Sequence, residues 1–394
     1  MACLTGRRGD KAALRNAGVS GPAARILGRG PCPARLEPAG CAIHRLVGDN
    51  DQGLLIEPAD QFEGQLTATK IVDKKTKKRQ HSLNEIDFHS VKFVCFERVL
   101  RQMAKKLNKN DIYGVIPPLV STFGPNGDLD LRLFEKELEF MEQVGIDLAV
   151  IGGSTGSGDE LSIDELGALI ETATRKSKIH IIAGVITTTT PDAIKRGQVA
   201  RDAGAEALMV GPPIYTTPSD DGLDGFLTDV NEATGLGIIY YNHFFNPASV
   251  MQRVAHLPGV ICLKEVALEP VAQLVQTVGD RVAIAAGADA VNIASFMLGA
   301  VASISGINTV IPAQYREIFA AHEANDYRKG RQLTEKIAPL AREMIKGVNF
   351  PARVKFAINL LGREVGPPRK PSGNLAKVDQ ENIIAALKHA ELLK

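Results

Sequence analysis

Lys264 follows the apolar run at 260–263 and is the side chain of this sequence best placed to do chemistry. Four apolar residues that lead directly into a lysine predict a buried parallel strand that ends on a cation. Burial disfavours the ammonium form, and a neutral lysine amine is a nucleophile that forms Schiff bases with carbonyl substrates. A lysine whose ammonium reaches solvent from the strand end would give the same local pattern. This short segment alone leaves both interpretations open.

Three further segments present polar groups at or directly after the ends of apolar runs. The turn at 152–158 is rich in Gly, Ser and Thr, and its backbone N–H groups and hydroxyls suit a carboxylate or phosphate, with a plain loop as the alternative. Tyr241 ends another apolar run, and Tyr215 follows a third. A tyrosine and a lysine on neighbouring strand ends would make a proton relay and a nucleophile. Core packing is the alternative for Tyr241.

Other kinds of site find little support in the sequence. The eight histidines are dispersed, and His243 has no spaced partner, so we predict no metal site and treat His243 as a pocket-lining or loop residue. There is no C-x-x-C pair and no G-x-S-x-G motif. Cys262 is expected to be a small core residue.

The elements that would position these side chains alternate regularly from residue 114 onward. Apolar runs predict strands at 114–119, 148–151, 179–183, 207–210, 238–241, 260–264, 282–285 and 301–305. Helical patterns lie between them, at 131–144, 163–176, 191–203, 271–278 and 290–298 among others. Eight β-then-α units predict a (β/α)8 TIM barrel, whose active site lies at the C-terminal strand ends. An open doubly wound sheet would instead favour a Gly-rich dinucleotide turn after the first strand, and none is present.

The chain divides into three predicted parts. Residues 1–108 form a basic, poorly patterned N-terminal extension, 109–312 the barrel, and 313–394 a C-terminal helical appendix with helices at 313–324, 327–346, 352–361 and 379–392. The first 45 residues are rich in Arg and poor in acids, which is compatible with a targeting segment. We expect a cytoplasmic location, or a mitochondrial or other organellar one if that segment is a transit signal. Neither a membrane span nor nucleic-acid binding is expected.

Taken together, the motifs resemble the dihydrodipicolinate synthase / N-acetylneuraminate lyase family of class I aldolases. The resemblance runs from about residue 111 to the end of the sequence. It rests on the order and spacing of Gly153-Ser154-Thr155-Gly156, Pro213-Ile214-Tyr215, Tyr240-Tyr241-Asn242, Leu263-Lys264-Glu265 and Val365-Gly366-Pro367-Pro368-Arg369.

This likeness implies a role for each motif. Lys264 would form the Schiff base with pyruvate or another 2-oxo acid, and Tyr241, Ser154 and Tyr215 would carry protons. In some members of the family, the tyrosine at the position of Tyr215 reaches across a subunit contact. Gly153, Ser154 and Thr155 would bind the substrate carboxylate, and we expect three further residues to line the substrate site: Gly287 at the end of the seventh strand, Phe244 and Asn246. The family also implies a second, aldehyde substrate, no metal or organic cofactor, and a homotetramer built as a dimer of dimers.

The segment after Tyr241 departs from the pattern of dihydrodipicolinate synthases. Asn246 stands where these enzymes have an arginine that binds the second substrate's carboxylate, and Phe244 replaces a proline. An asparagine cannot supply that bidentate clamp. We therefore expect a Schiff-base lyase of the aldolase or hydratase-aldolase type. The alternatives are 4-hydroxy-tetrahydrodipicolinate synthase, which condenses pyruvate with aspartate semialdehyde, and a non-catalytic barrel that binds 2-oxo acids.

Overall fold

The computed structural model describes residues 106–243, 245–346 and 349–394. Within them, eight parallel strands form one sheet: β1 (Gly114–Val115), β2 (Leu148–Ile151), β3 (His180–Val185), β4 (Ala207–Val210), β5 (Gly237–Asn242), β6 (Val260–Glu265), β7 (Ala283–Ala286) and β8 (Ala302–Ser303). Each strand pairs with the next along the chain from β2 to β8, and β8 pairs with β1. The Leu119 N–H donates to Val150 O at 2.8 Å and the Val150 N–H to Pro117 O at 3.0 Å, which joins the segment after β1 to β2. The predicted (β/α)8 barrel is confirmed.

A helix follows every strand. The helices of the barrel are α1 (Leu131–Gln143), α2 (Ile163–Lys176), α3 (Thr190–Asp202), α4 (Asp220–Thr234), α5 (Ala248–Ala255), α6 (Glu269–Val278), α7 (Asn292–Met297) and α8 (Ile307–Val310). The C-terminal helices are α9 (Pro312–Glu323), α10 (Tyr327–Ile345), α11 (Phe350–Leu360) and α12 (Lys377–His389). The four helices predicted for the C-terminal appendix are thus present, with ends shifted by a few residues.

The alternation of side chains along the strands separates two apolar clusters. One faces inward and fills the barrel, with Val150, Ile239 and Cys262 among its members, and the other packs the strands against the helices. Leu107 and Ile112, which precede β1, are buried in the inner cluster. Successive residues of a strand face opposite sides, so Tyr241 shares the inward side of Ile239.

Several predictions concern residues outside the described part of the chain. The proposed targeting segment, residues 1–45, lies there, and so does Phe244. Among the residues that the structure describes, no helix has both the length and the apolar character needed to cross a membrane.

Candidate active site

Lys264 and Tyr241 lie beside each other at the C-terminal ends of two neighbouring strands. They are register partners in the β5–β6 pair. The Lys264 Nζ is 3.6 Å from the centroid of the Tyr241 ring, and the lysine side chain is 5% exposed. The lysine therefore does not extend to solvent, and of the two interpretations of its sequence context the buried one is observed.

The environment of Lys264 favours a reactive amine. Burial lowers the pKa of Lys264 from 10.5 to about 8, while the nearby carboxylate of Asp289 and the thiol of Cys262 act in the opposite direction. A lysine with a pKa near 8 has an appreciable neutral fraction at physiological pH. Gly287 makes room for this side chain, since a Cβ at that position would lie 3.0 Å from the Lys264 Cε.

Asp289 is a site residue that the sequence analysis did not identify. It is buried in the loop after β7, and its Oδ1 accepts a hydrogen bond from the Ile307 N–H at 2.7 Å. The Tyr315 hydroxyl donates to its backbone carbonyl. Burial raises the pKa of Asp289, whereas the hydrogen bond from Ile307 and the charge of Lys264 lower it. An aspartate two residues after the glycine that ends a barrel strand was the available signal.

Tyr241 is linked to the turn after β2. Burial raises the pKa of Tyr241 to about 12, and a side-chain hydrogen bond with Ser154 partly offsets this rise. The phenol is therefore protonated at neutral pH and forms a hydroxyl pair with Ser154. Its ring also contacts His243, with the ring centroids 5.3 Å apart. Residues from β5, β6 and the turn after β2 thus converge on one point.

The turn after β2 is a short 3-10 helix, Ser154–Gly156, with Thr155 buried in it. Gly152 leads into it with φ +75°, a backbone conformation that favours glycine. The Gly158 N–H donates to Gly153 O at 3.0 Å and the Ser121 Oγ to Gly156 O at 2.5 Å. The turn is thus held by a hydrogen bond within itself and by one from the loop after β1.

The C-terminal motif around Arg369 supports the same turn from outside. Its guanidinium forms two hydrogen bonds with the Glu165 carboxylate, at 3.0 and 2.5 Å. It also donates to Glu160 O at 3.0 Å and to Gly127 O at 2.8 Å. The helical appendix therefore braces the loops after β1 and β2.

Two predicted site residues lie apart from this cluster within the chain. Tyr215 is 98% exposed and has φ +80°. In the described residues it forms no hydrogen bond with Ser154 or Tyr241. The Asn246 side chain donates from Nδ2 to the Tyr240 hydroxyl at 3.0 Å, on the side of β5 that packs against the helices. The amide of Asn246 is therefore engaged within the fold.

Across the described residues, no group of three or more His, Cys, Asp or Glu side chains is arranged to hold a metal ion. The chemistry available to this cluster is that of a buried amine, two hydroxyls and a carboxylate.

The chain is similar to known proteins over most of its length. Residues 111–390 match the family described as the dihydrodipicolinate synthetase family. The 4-hydroxy-tetrahydrodipicolinate synthase of Dechloromonas aromatica is 29% identical over 291 residues, covering 72% of this chain and 99% of that protein. The enzyme of the same name from Thiobacillus denitrificans is 30% identical over 291 residues, 71% of this chain and 97% of that protein. A dihydrodipicolinate synthase from Acinetobacter baumannii, solved in complex with pyruvate, superposes with a TM-score of 0.67 at 27% identity, covering 72% of this chain and 99% of that one.

Proposed function

The chain belongs to the dihydrodipicolinate synthetase family, and from this premise we propose that Lys264 forms the Schiff base of a pyruvate-dependent lyase of the class I aldolase type. The observation that carries the assignment is the buried Lys264 amine against the Tyr241 ring. Lowering the lysine pKa from 10.5 to about 8 increases the neutral fraction at pH 7 by roughly 300-fold. A surface lysine lacks this advantage.

In the proposed mechanism, the Lys264 Nζ attacks the ketone carbon of pyruvate. Tyr241, protonated and bonded to Ser154, donates the proton that lets the carbinolamine oxygen leave as water. The resulting iminium withdraws electrons from the adjacent methyl group, which then loses a proton to give an enamine. Because the iminium is the electron sink, we assign no metal or organic cofactor to this reaction.

The substrate carboxylate is assigned to the turn at Gly153, Ser154 and Thr155. This turn follows β2 and is connected to Tyr241 through Ser154, so a carboxylate held there would place the ketone carbon close to the lysine. Backbone N–H groups and hydroxyls at such a turn are suited to bind an anion.

We assign Tyr215 to the same proton relay through assembly of the protein. An exposed tyrosine with a left-handed backbone conformation costs free energy, and such strain is retained where it serves the function of a site. A homotetramer in which Tyr215 completes the active site of a second copy would give this conformation such a function. Sedimentation of the purified protein tests the assembly, and the condensation rate of Y215F compared with that of wild type tests the relay.

A second candidate is 4-hydroxy-tetrahydrodipicolinate synthase itself, which the names of the relatives favour. The engagement of Asn246 with Tyr240 counts against it, because this amide is not directed at a substrate carboxylate. A non-catalytic 2-oxo-acid-binding barrel is the third candidate, and the lowered pKa of Lys264 counts against it.

Borohydride reduction in the presence of pyruvate tests the proposal. We expect a reduced pyruvyl group on Lys264 and none in K264M. Lys355 is a matched internal control, since burial lowers its pKa to about 7 as well, but its Nζ donates to Pro367 O at 2.9 Å and lies over the Phe123 ring. An unmodified Lys264 at saturating pyruvate, or modification of Lys355 instead, would contradict the assignment.

The cellular location stays a prediction. A fluorescent fusion of the full chain, compared with one that lacks residues 1–45, would distinguish a cytoplasmic protein from an organellar one.

A further inference from the structure

The loops at the C-terminal ends of the eight strands contain no lysine or arginine. They comprise residues 116–130, 152–162, 186–189, 211–219, 243–247, 266–268, 287–291 and 304–306. Their charged residues are all acidic: Asp128, Asp130, Asp159, Glu160 and Asp289. The loops that surround a substrate in this fold therefore provide no cation for it.

Cations that approach these loops from the helices already have partners. Arg196 donates to the Asp192 carboxylate at 2.9 Å and to Leu161 O at 3.3 Å. Arg369 is held by Glu165. Among the described residues, the cation at the centre of the site is Lys264, and its charge is shared with the 2-oxo acid once the iminium forms.

Asn246 does not take the place of the missing cation. Its Nδ2 donates to the Tyr240 hydroxyl, its backbone N–H donates to the Asn242 Oδ1 at 2.7 Å, and its carbonyl accepts from the Asn242 Nδ2 at 3.0 Å. Tyr240 is fully buried, and a buried hydroxyl that loses its hydrogen-bond partner carries a free-energy cost. Turning Asn246 toward a substrate would incur that cost.

A second acidic group on a substrate would also meet the buried Asp289. This carboxylate lies close enough to Lys264 and Tyr241 to affect the pKa of both. A substrate carboxylate close to Asp289 would be repelled by it, and a buried site screens such a repulsion far less than water does. Phe245, 68% accessible in the loop after β5, presents an apolar ring at the same end of the barrel.

We propose that the second substrate of Lys264 is an aldehyde that carries no carboxylate or phosphate. This inference rests on the proposed Schiff-base function and specifies its acceptor. The enamine carbon of pyruvyl-Lys264 adds to the aldehyde carbon, and the carbonyl π pair moves to the aldehyde oxygen. That oxygen receives the proton lost from the pyruvyl methyl group, passed on by Tyr241. Water then hydrolyses the iminium, which releases a 4-hydroxy-2-oxo acid and the free lysine without any oxidant or reductant.

The test uses aldehyde pairs that differ by one carboxylate: butanal with succinic semialdehyde, and benzaldehyde with 4-carboxybenzaldehyde. Condensation of each with pyruvate by the full-length protein is followed by mass spectrometry of the product. We expect kcat/KM to be at least ~10-fold higher for the neutral member of a pair. Equal or better use of both carboxylated members, or no turnover of either neutral one, would overturn the proposal.

Two controls keep this result separate from the underlying function. If borohydride traps pyruvate on Lys264 while carboxylated aldehydes are preferred, only the acceptor assignment fails; if nothing is trapped, the proposed function fails. The variant Y240F/N246R, compared with Y240F, adds a cation without leaving a buried phenol unpaired. We expect its preference to move toward carboxylated aldehydes by ~10-fold or more, and an unchanged preference would overturn the attribution to the missing cation.

Discussion

Replacing Lys264 with Met should make the protein more stable while it abolishes Schiff-base formation. Burial lowers the pKa of Lys264 from 10.5 to about 8. The 2.5-unit difference corresponds to ~3 kcal/mol, at about 1.4 kcal/mol per unit. Methionine has a similar length and no charge to desolvate. With methionine at this position Asp289 has no neighbouring cation, so the pKa of its carboxyl rises further and part of the free-energy cost of burial remains. We therefore expect the free energy of unfolding of K264M to exceed that of wild type by about 1–3 kcal/mol at pH 7.

The pH dependence of the stability difference shows whether the lysine charge causes it. Between pH 8 and 10.5 the unfolded lysine binds a proton that the folded one does not, so this residue contributes stability that increases as pH rises. Below pH 8 the wild type bears the full free-energy cost of the buried ammonium, and above pH 10.5 it bears none. The advantage of K264M should therefore be largest at and below neutral pH and fade toward pH 10.5.

Urea unfolding followed by circular dichroism at pH 7 and pH 10, at one protein concentration, measures this difference. K377M is a suitable control, because the Lys377 side chain is 90% exposed, and it should change stability by less than about 0.5 kcal/mol at either pH. A K264M variant that is less stable at pH 7, or equally stabilised at both pH values, would refute the electrostatic account.

Three further predictions follow from the site. Y241F should lower the rate of condensation by about 10²–10⁴-fold, because the proton donor bonded to Ser154 is lost; a steady-state assay with pyruvate and an aldehyde measures it. The rate of borohydride-trapped adduct formation should rise with pH up to about 8, the pKa of Lys264, and in D289N the midpoint should move to lower pH, since the carboxylate no longer supports the ammonium; a midpoint that stays or rises would contradict this role of Asp289. G152A should destabilise the protein by at least ~1 kcal/mol in thermal unfolding, because Gly152 has φ +75° and a Cβ there would lie 2.5 Å from the Leu166 Cδ1.

The barrel and its central residue were predictable because the sequence repeats. Each apolar run predicts a strand that is followed by a helix, and eight such β-then-α units in a row are the number that closes a (β/α)8 barrel. Lys264 was recognisable because its apolar run is the sixth of eight predicted strands and ends beside the strand that ends on Tyr241. Tyr241 was placed beside it by the order of the strands alone. The helices Asp220–Thr234 and Ala248–Ala255 received no predicted bounds from the same pattern.

The partners of these residues required the folded chain. Ser154 and Tyr241 are far apart in sequence, so their hydrogen bond depends on closure of the sheet. Arg369 supports the turn after β2 from the C-terminal segment, at a sequence distance that no local pattern reports. Asn246 was expected at the substrate, but whether its amide faces the site or Tyr240 depends on the turn between Asn242 and Asn246.

Residue types and their spacing are sufficient to predict the fold class, the family resemblance and a lysine suited to Schiff-base chemistry. The reactivity of that lysine depends on the folded chain. Its pKa is set by the loss of water around it and by the charge of Asp289. Both depend on distances in space between residues of different strands, which the order of residues along the chain does not specify.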